Sequence, residues 1–469
     1  MSESTRPNVL FVFADQMRRS ALGCMGNGDV ATPHLDQLAE QGLCATRAVA
    51  NCPLCGPSRA SILTGRYPLS HRVVSNWLPL PHEERTFGEL FGERGWATGY
   101  IGKWHLEGAP NDVFTPPGAG RHGFGYWAAF NNSHRYFQGY YYDDAGQRIQ
   151  IDGYEPDHQT DLAIDFMRRH REDPWMLILS WGPPHFPYEQ VPERFRQQYA
   201  GRPLEMPPNV PAPEELESTR QVPWLKAGPQ AALRDYYAQV TALDADMGRL
   251  LAALDDLGLA DSTIVVFTSD HGDMLYSHGY IEKYQPWEES VGIPLLVRYP
   301  GRIAPGRTSS VPTSTVDLLP SLLGLAGIAV PPEVQGSDLS AEWLRDPGDA
   351  RPDSTFLLAA VPDRPHWPFL PFREWRAVRT ARHSYACDLQ GPWLLYDNEA
   401  DPYQMHNLVG DPAHRATQAR LHEELQQWLR STGDRFVPWR EHIRSMGLVD
   451  LWNYRERCIH PKEPELLDP

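Results

Sequence analysis

The sequence predicts an α/β protein: a large, mostly parallel sheet flanked by helices, then a smaller C-terminal α+β subdomain with an antiparallel sheet and one helix. Three observations carry this. Five short apolar runs each end in small or polar residues, as strands buried on both faces do. Segments with helical spacing lie between them, and such alternation builds a parallel layer covered by helices. Beyond about residue 345 the pattern changes to closely spaced strands and turns. A chain of 469 residues is also long for a single core, so we place 1–345 in the large domain and 346–469 in the subdomain and tail.

The five strands are "NVLFVFAD" (8–15), "ATGYIG" (97–102), "WMLILSW" (175–181), "STIVVFTSD" (262–270) and "IPLLVRY" (293–299), all read as parallel. The first helix is "TPHLDQLAEQG" (32–42), in which Thr32 can cap, Pro33 fits the first turn and Gly42 can end the helix. A longer helix covers "LRDYYAQVTALDADMGRLLAALDDLG" (233–258). Residues 185–230, rich in proline and glutamate, are expected to wind across the surface. In the subdomain, "STFLLAAV", "WRAVRTARHSYACDL" and "WLLYDNEADP" read as antiparallel strands, followed by an amphipathic helix over 411–432. The aromatic tail, 433–469, is expected to pack on the body or on a second copy, which makes a homo-oligomer one expectation. The stretch "FGYWAAFNNSHRYFQGYYYD" (124–143) reads either as a packed surface layer or as a substrate wall bearing His134 and Arg135.

A net charge of −17 argues against nucleic acid or an anionic membrane as partner, because the overall field repels both. An anionic substrate would then need a local positive pocket. The N-terminus, "MSESTRPNVLFVFAD", has no basic segment ahead of its apolar run, which stops at Asp15, too short to span a bilayer. A cytoplasmic protein is the expectation. Six cysteines (24, 44, 52, 55, 387, 458) in so long a chain do not make a disulfide framework.

In an open α/β sheet, ligands bind beyond the carboxyl ends of the strands. There the first strand delivers Asp15-Gln16, the second Lys103-Trp104-His105, the third leads to His185, and the fourth delivers Asp270-His271 with Lys283 further on. One aspartate after a strand is commonplace and usually caps the next helix. Two of them, with two lysines and three histidines, point to a metal-dependent hydrolytic site. Asp15, Gln16, Asp270 and His271 would offer three oxygens and one imidazole nitrogen, a set that suits Ca²⁺ first and Mn²⁺ second, with zinc disfavoured.

The segment "NCPLCGPSRASILTGR" (51–66) places a cysteine at the mouth of a helix. Three readings of Cys55 compete: a redox pair with Cys52, a buried free thiol, or one part of a site in which Pro57 sets the first turn, Ser58 and Arg59 point into one pocket, and Thr64-Gly65 stop the helix.

"CGPSRASILTGR" resembles the signature of the type I sulfatases, formylglycine-dependent enzymes of the alkaline phosphatase superfamily. "PNVLFVFADQ", "GYIGKWHL", "PPHFPY", "TSDHGDMLYSHGYIEKYQPWEESVGIPLLVRYPGRI" and "LYDNEADPYQMHNL" extend the likeness over nearly the whole chain. The resemblance implies a catalytic domain over 1–345 that hydrolyses sulfate monoesters with one divalent metal ion. It implies that a formylglycine-generating enzyme oxidises Cys55 to Cα-formylglycine during maturation. One hydroxyl of the hydrated aldehyde then attacks sulfur, and deprotonation of the other releases sulfate. The modified Cys55 joins the metal ligands, Arg59, Lys103 and Lys283 clamp the sulfuryl group, His105 assists elimination, and His185 with Lys283 protonates the leaving alcohol. Asp15-Gln16 and Asp270-His271 depart from the Asp-Asp and Asp-Asn of many sulfatases. They make the chain similar to choline sulfatases and to phosphonate monoester and phosphodiester hydrolases, the alternative activity. Lys103 and His105 favour the sulfatase reading, since phosphonate monoester hydrolases carry neutral hydroxyl residues there.

Overall fold

The computed structural model describes residues 6–143, 145–212, 216, 228–344, 352–363, 372–462 and 464–468. Its strands are β1 (Asn8–Asp15), β2 (Leu43–Ala45), β3 (Ala48–Val49), β4 (Ala97–Lys103), β5 (Tyr126–Phe130), β6 (Tyr140–Tyr142), β7 (Arg148–Gln150), β8 (Trp175–Pro184), β9 (Thr263–Ser269), β10 (Leu295–Arg298), β11 (Arg307–Ser309), β12 (Thr313–Ser314), β13 (Ser354–Ala359), β14 (Trp375–Thr380), β15 (His383–Asp388) and β16 (Gly391–Asp397). Among the described residues the main sheet has ten strands, in the order β11-β2-β10-β9-β1-β8-β4-β5-β6-β7. Its centre, β9-β1-β8-β4-β5, is parallel throughout.

β1 shows why an unbroken apolar run forms this strand. Val9, Phe11 and Phe13 enter one core, while Leu10, Val12 and Ala14 enter the other. Successive side chains leave a strand on opposite faces, so burying both faces needs apolar residues at every position. One face is covered by the helices Pro33–Glu40, Glu155–Arg169 and Pro229–Asp256, the other by Cys55–Thr64 and Leu318–Leu325.

Three expectations change. The run at 293–299 forms β10, which is antiparallel to β9. The chain leaves β9 at its carboxyl end, passes through the loop holding His271 and Lys283, and re-enters from that same end, whereas a parallel return would need a crossover. Its four residues are all buried, so the apolar run carries no sign of direction. Thr32 does not cap its helix, since Oγ1 accepts from Gly23 N at 2.8 Å. Asp244 of the long helix takes that place, accepting from His34 N (3.0 Å) and Leu35 N (2.8 Å). Gly42 follows the last residues of the helix as expected but not in the left-handed conformation of a helix-ending glycine; it is needed there because a Cβ would come within 2.3 Å of Val297 O.

The subdomain is the four-stranded antiparallel sheet β13-β14-β15-β16 with the helix Arg415–Thr432. The boundary placed at 345/346 falls outside the described residues, as do 213–215 and 217–227 of the stretch 185–230; within that stretch lies the helix Glu193–Tyr199. The tail folds into the helices Trp439–Ser445 and Val449–Ile459, and Trp439, Ile443 and Trp452 join the core that holds β1. No helix among the described residues is long and apolar enough to cross a membrane.

Candidate active site

The carboxyl ends of β1, β4, β8 and β9 meet at one rim, under the first turn of the helix Cys55–Thr64. Leu54 is extended, Pro57 occupies the first turn, and Gly65 ends the helix in the left-handed region at φ +65°. Every residue of this helix is buried, polar ones included. Ser58 and Arg59 explain why. Ser58 Oγ donates to Asp270 O at 2.5 Å. The Arg59 guanidinium reaches Asp270 Oδ2 (3.0 Å), Asp15 Oδ2 (3.2 Å), Lys103 O (2.7 Å) and Ser180 Oγ (2.7 Å), tying four neighbouring strands together. This is the bidentate, fork-like geometry that arginine supports and lysine does not.

Cys55 is 1% exposed. Its Sγ lies 3.2 Å from His271 Nε2, 3.4 Å from Lys283 Nζ and 3.6 Å from Asp15 Oδ1. Burial and Asp15 push the thiol up to about 12, against the pull of Lys283 and Lys103. Burial also pushes the Cys52 thiol up, so neither has the lowered pKa of a redox-active pair.

Ligand atoms of Asp15, Cys55, Asp270 and His271 all lie within 4.8 Å of one another. His271 Nδ1 sits 2.9 Å from Gly272 O, which can only accept, so the proton is on Nδ1 and the Nε2 lone pair faces the cluster. Burial lowers this imidazole to about 4, which keeps it neutral as a ligand must be. Nε2 stands 3.7 Å from Asp15 Oδ1 and 3.6 Å from Asp270 Oδ1. Donors at that separation, set at right angles about a shared centre, lie about 2.6 Å from it, at the long edge of calcium distances and beyond those of magnesium. Gln16, at φ +69°, turns its Oε1 inward, where Lys283 Nζ donates to it at 2.7 Å, and its Nε2 donates to Asp273 Oδ2 at 2.7 Å. The donor set therefore fits a hard divalent cation.

The cationic side is equally buried. Lys103 Nζ donates to Asp15 Oδ2 at 2.6 Å. Burial alone would raise Asp15, but Lys103, His185, Arg59 and Lys283 outweigh it and hold the carboxyl well below the usual range. His185 donates from Nδ1 to Phe186 O (2.8 Å), which leaves Nε2 to accept from Lys283 Nζ (2.9 Å). His134 stacks flat on His185, with centroids 4.0 Å apart, and Tyr136 OH donates to His185 O at 2.8 Å, so the aromatic stretch reaches the site through these two while Trp127 and Tyr140 pack in the body. His105, at φ +60°, is buried with neither ring nitrogen hydrogen-bonded, and burial, then Lys103 and Arg59, lower it well below its ordinary value.

All ten residues predicted from the sequence thus gather at one place. Others there were not predicted. Asp273 fixes the Gln16 amide, and "SDHGD" offered it as a third acid beside His271. Ser180, the polar exception in the apolar run of β8, bridges Arg59 and Lys103 O. Asn76, whose Oδ1 accepts from Gly56 N at 2.8 Å, and Trp77, whose ring lies edge-to-face with that of His105, carried no signal at all.

The sulfatase family model matches residues 7–328, and a model of the N-sulphoglucosamine sulphohydrolase C-terminal region matches 276–431. The "Ulvan-active sulfatase" of Formosa agariphila is 38% identical, over 95% of this chain and 86% of that protein. The "N-acetylglucosamine-6-O-sulfatase" of Bacteroides thetaiotaomicron is 28% identical, over 92% and 87% respectively. The structure of BT4656 in complex with its substrate D-glucosamine-2-N,6-O-disulfate superposes with a TM-score of 0.79 at 25% identity, covering 92% of this chain and 99% of that one. With a fold, a signature helix and relatives that agree over nearly its whole length, the chain belongs to the type I sulfatase family of the alkaline phosphatase superfamily and is a sulfuric ester hydrolase.

Proposed function

We propose that the chain removes a sulfate ester from a sugar hydroxyl, using Cys55 converted to Cα-formylglycine by a formylglycine-generating enzyme and one divalent cation, calcium first. The observation that carries this reading is the set of three buried cations at Cys55, with Lys283 Nζ 3.4 Å from its Sγ and Arg59 and Lys103 on the Asp15 carboxylate that flanks it, together with a buried His105 whose two ring nitrogens are unengaged. The carbohydrate leaving group rests on the names of the relatives above.

Formylglycine would supply a hydrated aldehyde, with two hydroxyls on the Cys55 Cβ in the place now held by Sγ, and the cation would polarise a sulfate oxygen from among Asp15, Gln16, Asp270 and His271. The chain's own residues do the rest. Lys103 and Lys283 face the non-bridging oxygens with fixed positive charge, where each preorganised donor contributes on the order of 3 kcal/mol to transition-state stabilisation. Arg59 holds the two aspartates in place. His105, neutral and unengaged, accepts the proton of the second hydroxyl as sulfate leaves. The Lys283–His185 pair delivers a proton to the departing alcohol; His185 Nδ1 is tied to Phe186 O, so the proton travels on the Lys283–Nε2 side.

The test compares one aryl leaving group as its sulfate, its phosphonate monoester and its phosphodiester, on the wild type, Lys103→Met and His105→Ala. We expect the highest kcat/KM on the sulfate, and a larger loss there in both variants. A preference for either phosphorus ester would overturn the reading in favour of the phosphonate or diester activity.

A further inference from the structure

Helix Cys55–Thr64 begins without a local cap: Leu54, just before it, offers no side-chain acceptor to the first turn. Helix starts normally recruit such an acceptor for their unpaired N–H groups. Here it comes from elsewhere, because Asn76 Oδ1 accepts from Gly56 N at 2.8 Å. Gly56 follows the nucleophile position, and a Cβ on it would stand 3.1 Å from that same oxygen, so the two are in tight register.

Asn76 is itself held from the far end of the chain. Arg455, on the helix Val449–Ile459, is completely buried, and its Nε donates to Asn76 O at 2.9 Å. Its Nη2 donates to Asp363 O, and its Nη1 pairs with Glu456. Its guanidinium carbon lies 4.6 Å from the Trp452 ring centre and 5.4 Å from that of Trp77. Trp77, in the left-handed region at φ +60°, sets its indole edge-on to the His105 ring at 5.7 Å. One guanidinium thus touches both arms, Asn76 toward the Cys55 turn and Trp77 toward His105. A buried arginine fork costs much desolvation, and neither hydrophobic packing nor surface solubility calls for it.

We propose that Arg455 is a positioning residue for the reaction at Cys55, setting the nucleophile turn through Asn76 and the His105 ring through Trp77. The C-terminal helix then takes part in the active site without touching substrate. The inference rests on the catalytic reading of Cys55 and His105 given above.

The test uses the full chain with Arg455→Met, Arg455→Lys, Asn76→Ala and the double variant Asn76→Ala/Arg455→Met. Rates are counted per formylglycine-bearing molecule, measured by peptide mass spectrometry. Misplacing a reacting group by about an ångström costs up to roughly a hundredfold, so Arg455→Met should lower kcat about ten- to a hundredfold with KM within about twofold. Arg455→Lys should recover part of that loss. The double variant should lose less than the product of the two single losses, because Asn76 and Arg455 share the route to the Cys55 turn while the Trp77 route belongs to Arg455 alone. A soluble Arg455→Met with lower melting temperature and unchanged kcat would make the arginine merely structural and overturn the proposal, as would fully additive losses in the double variant. Should Arg455→Met not fold, Arg455→Lys and Asn76→Ala decide by the same kcat-against-KM criterion. A wild type without sulfatase activity would refute the proposed function instead, whatever the variants do.

Discussion

Asp273→Asn tests whether the Gln16 amide is aimed at a cation. The buried Asp273 carboxylate accepts from Gln16 Nε2 (2.7 Å) and Tyr188 OH (2.6 Å) on Oδ2 and from Leu275 N (2.9 Å) on Oδ1. An asparagine has one acceptor oxygen. If that oxygen keeps Leu275 N, the new amide nitrogen faces Gln16 Nε2, donor against donor; if it turns, Leu275 N is orphaned. Gln16 can escape by flipping, but its Nε2 would then face Lys283 Nζ, now 2.7 Å from Oε1. Each route leaves one buried hydrogen bond unmade, at about 1–3 kcal/mol. Charged to Gln16 as a ligand, that is a loss of about 10- to 100-fold in metal affinity, the usual scale for an outer-shell partner. Calcium titration of apo-protein by calorimetry, with chelator competition as a second assay, reads the constant directly. Unaltered calcium affinity in a folded Asp273→Asn would refute the reasoning, and would mean that Gln16 does not ligate.

Two further outcomes are expected. Cys55→Ala should lower turnover by on the order of 10⁶-fold, as deletion of a nucleophile does, with the fold intact, whereas Cys52→Ala should stay largely active; a slow Cys52→Ala would restore the redox-pair reading. Burial raises Glu288, but Arg379 (2.5 Å) and Arg19 (2.6 Å) outweigh it and hold the carboxyl well below its usual range, so its stabilisation is complete above about pH 4.5 and drains away as pH falls further. Urea unfolding between about pH 5 and pH 3 should therefore show a steeper loss of stability in the wild type than in Glu288→Gln, and parallel acid slopes would disprove it.

The residues at strand ends were legible because position in the chain and position in space coincide there: a polar residue closing a buried strand must lie at the rim. Asp15, Lys103 and Asp270 all follow from that rule. Asn76, Trp77 and Arg455 could not, because each acts across a contact between segments with no common pattern; Arg455 and Asn76 meet over 379 positions. The direction of β10 was hidden for another reason, since burial on both faces erases the alternation that tells one kind of strand from another. The helix at Pro33 shows the same limit: a threonine in the capping position looked sufficient, and an aspartate some two hundred residues later does the work.

The burial of Cys55 sets a clock. Its side chain is closed in from one side by Asp270, His271 and Lys283, which are synthesised about 215 residues after it. At about 5–20 residues per second, those walls emerge roughly 10–40 s later. Any enzyme that works on Cys55 must do so within that interval or before the sheet closes, because the folded chain offers it no thiol. If activity requires the conversion of Cys55 proposed above, the active fraction of a preparation reflects a race with folding, and two batches with the same melting curve can differ widely in specific activity. Slowing translation downstream of residue 66 should raise that fraction without changing a single contact in the folded protein.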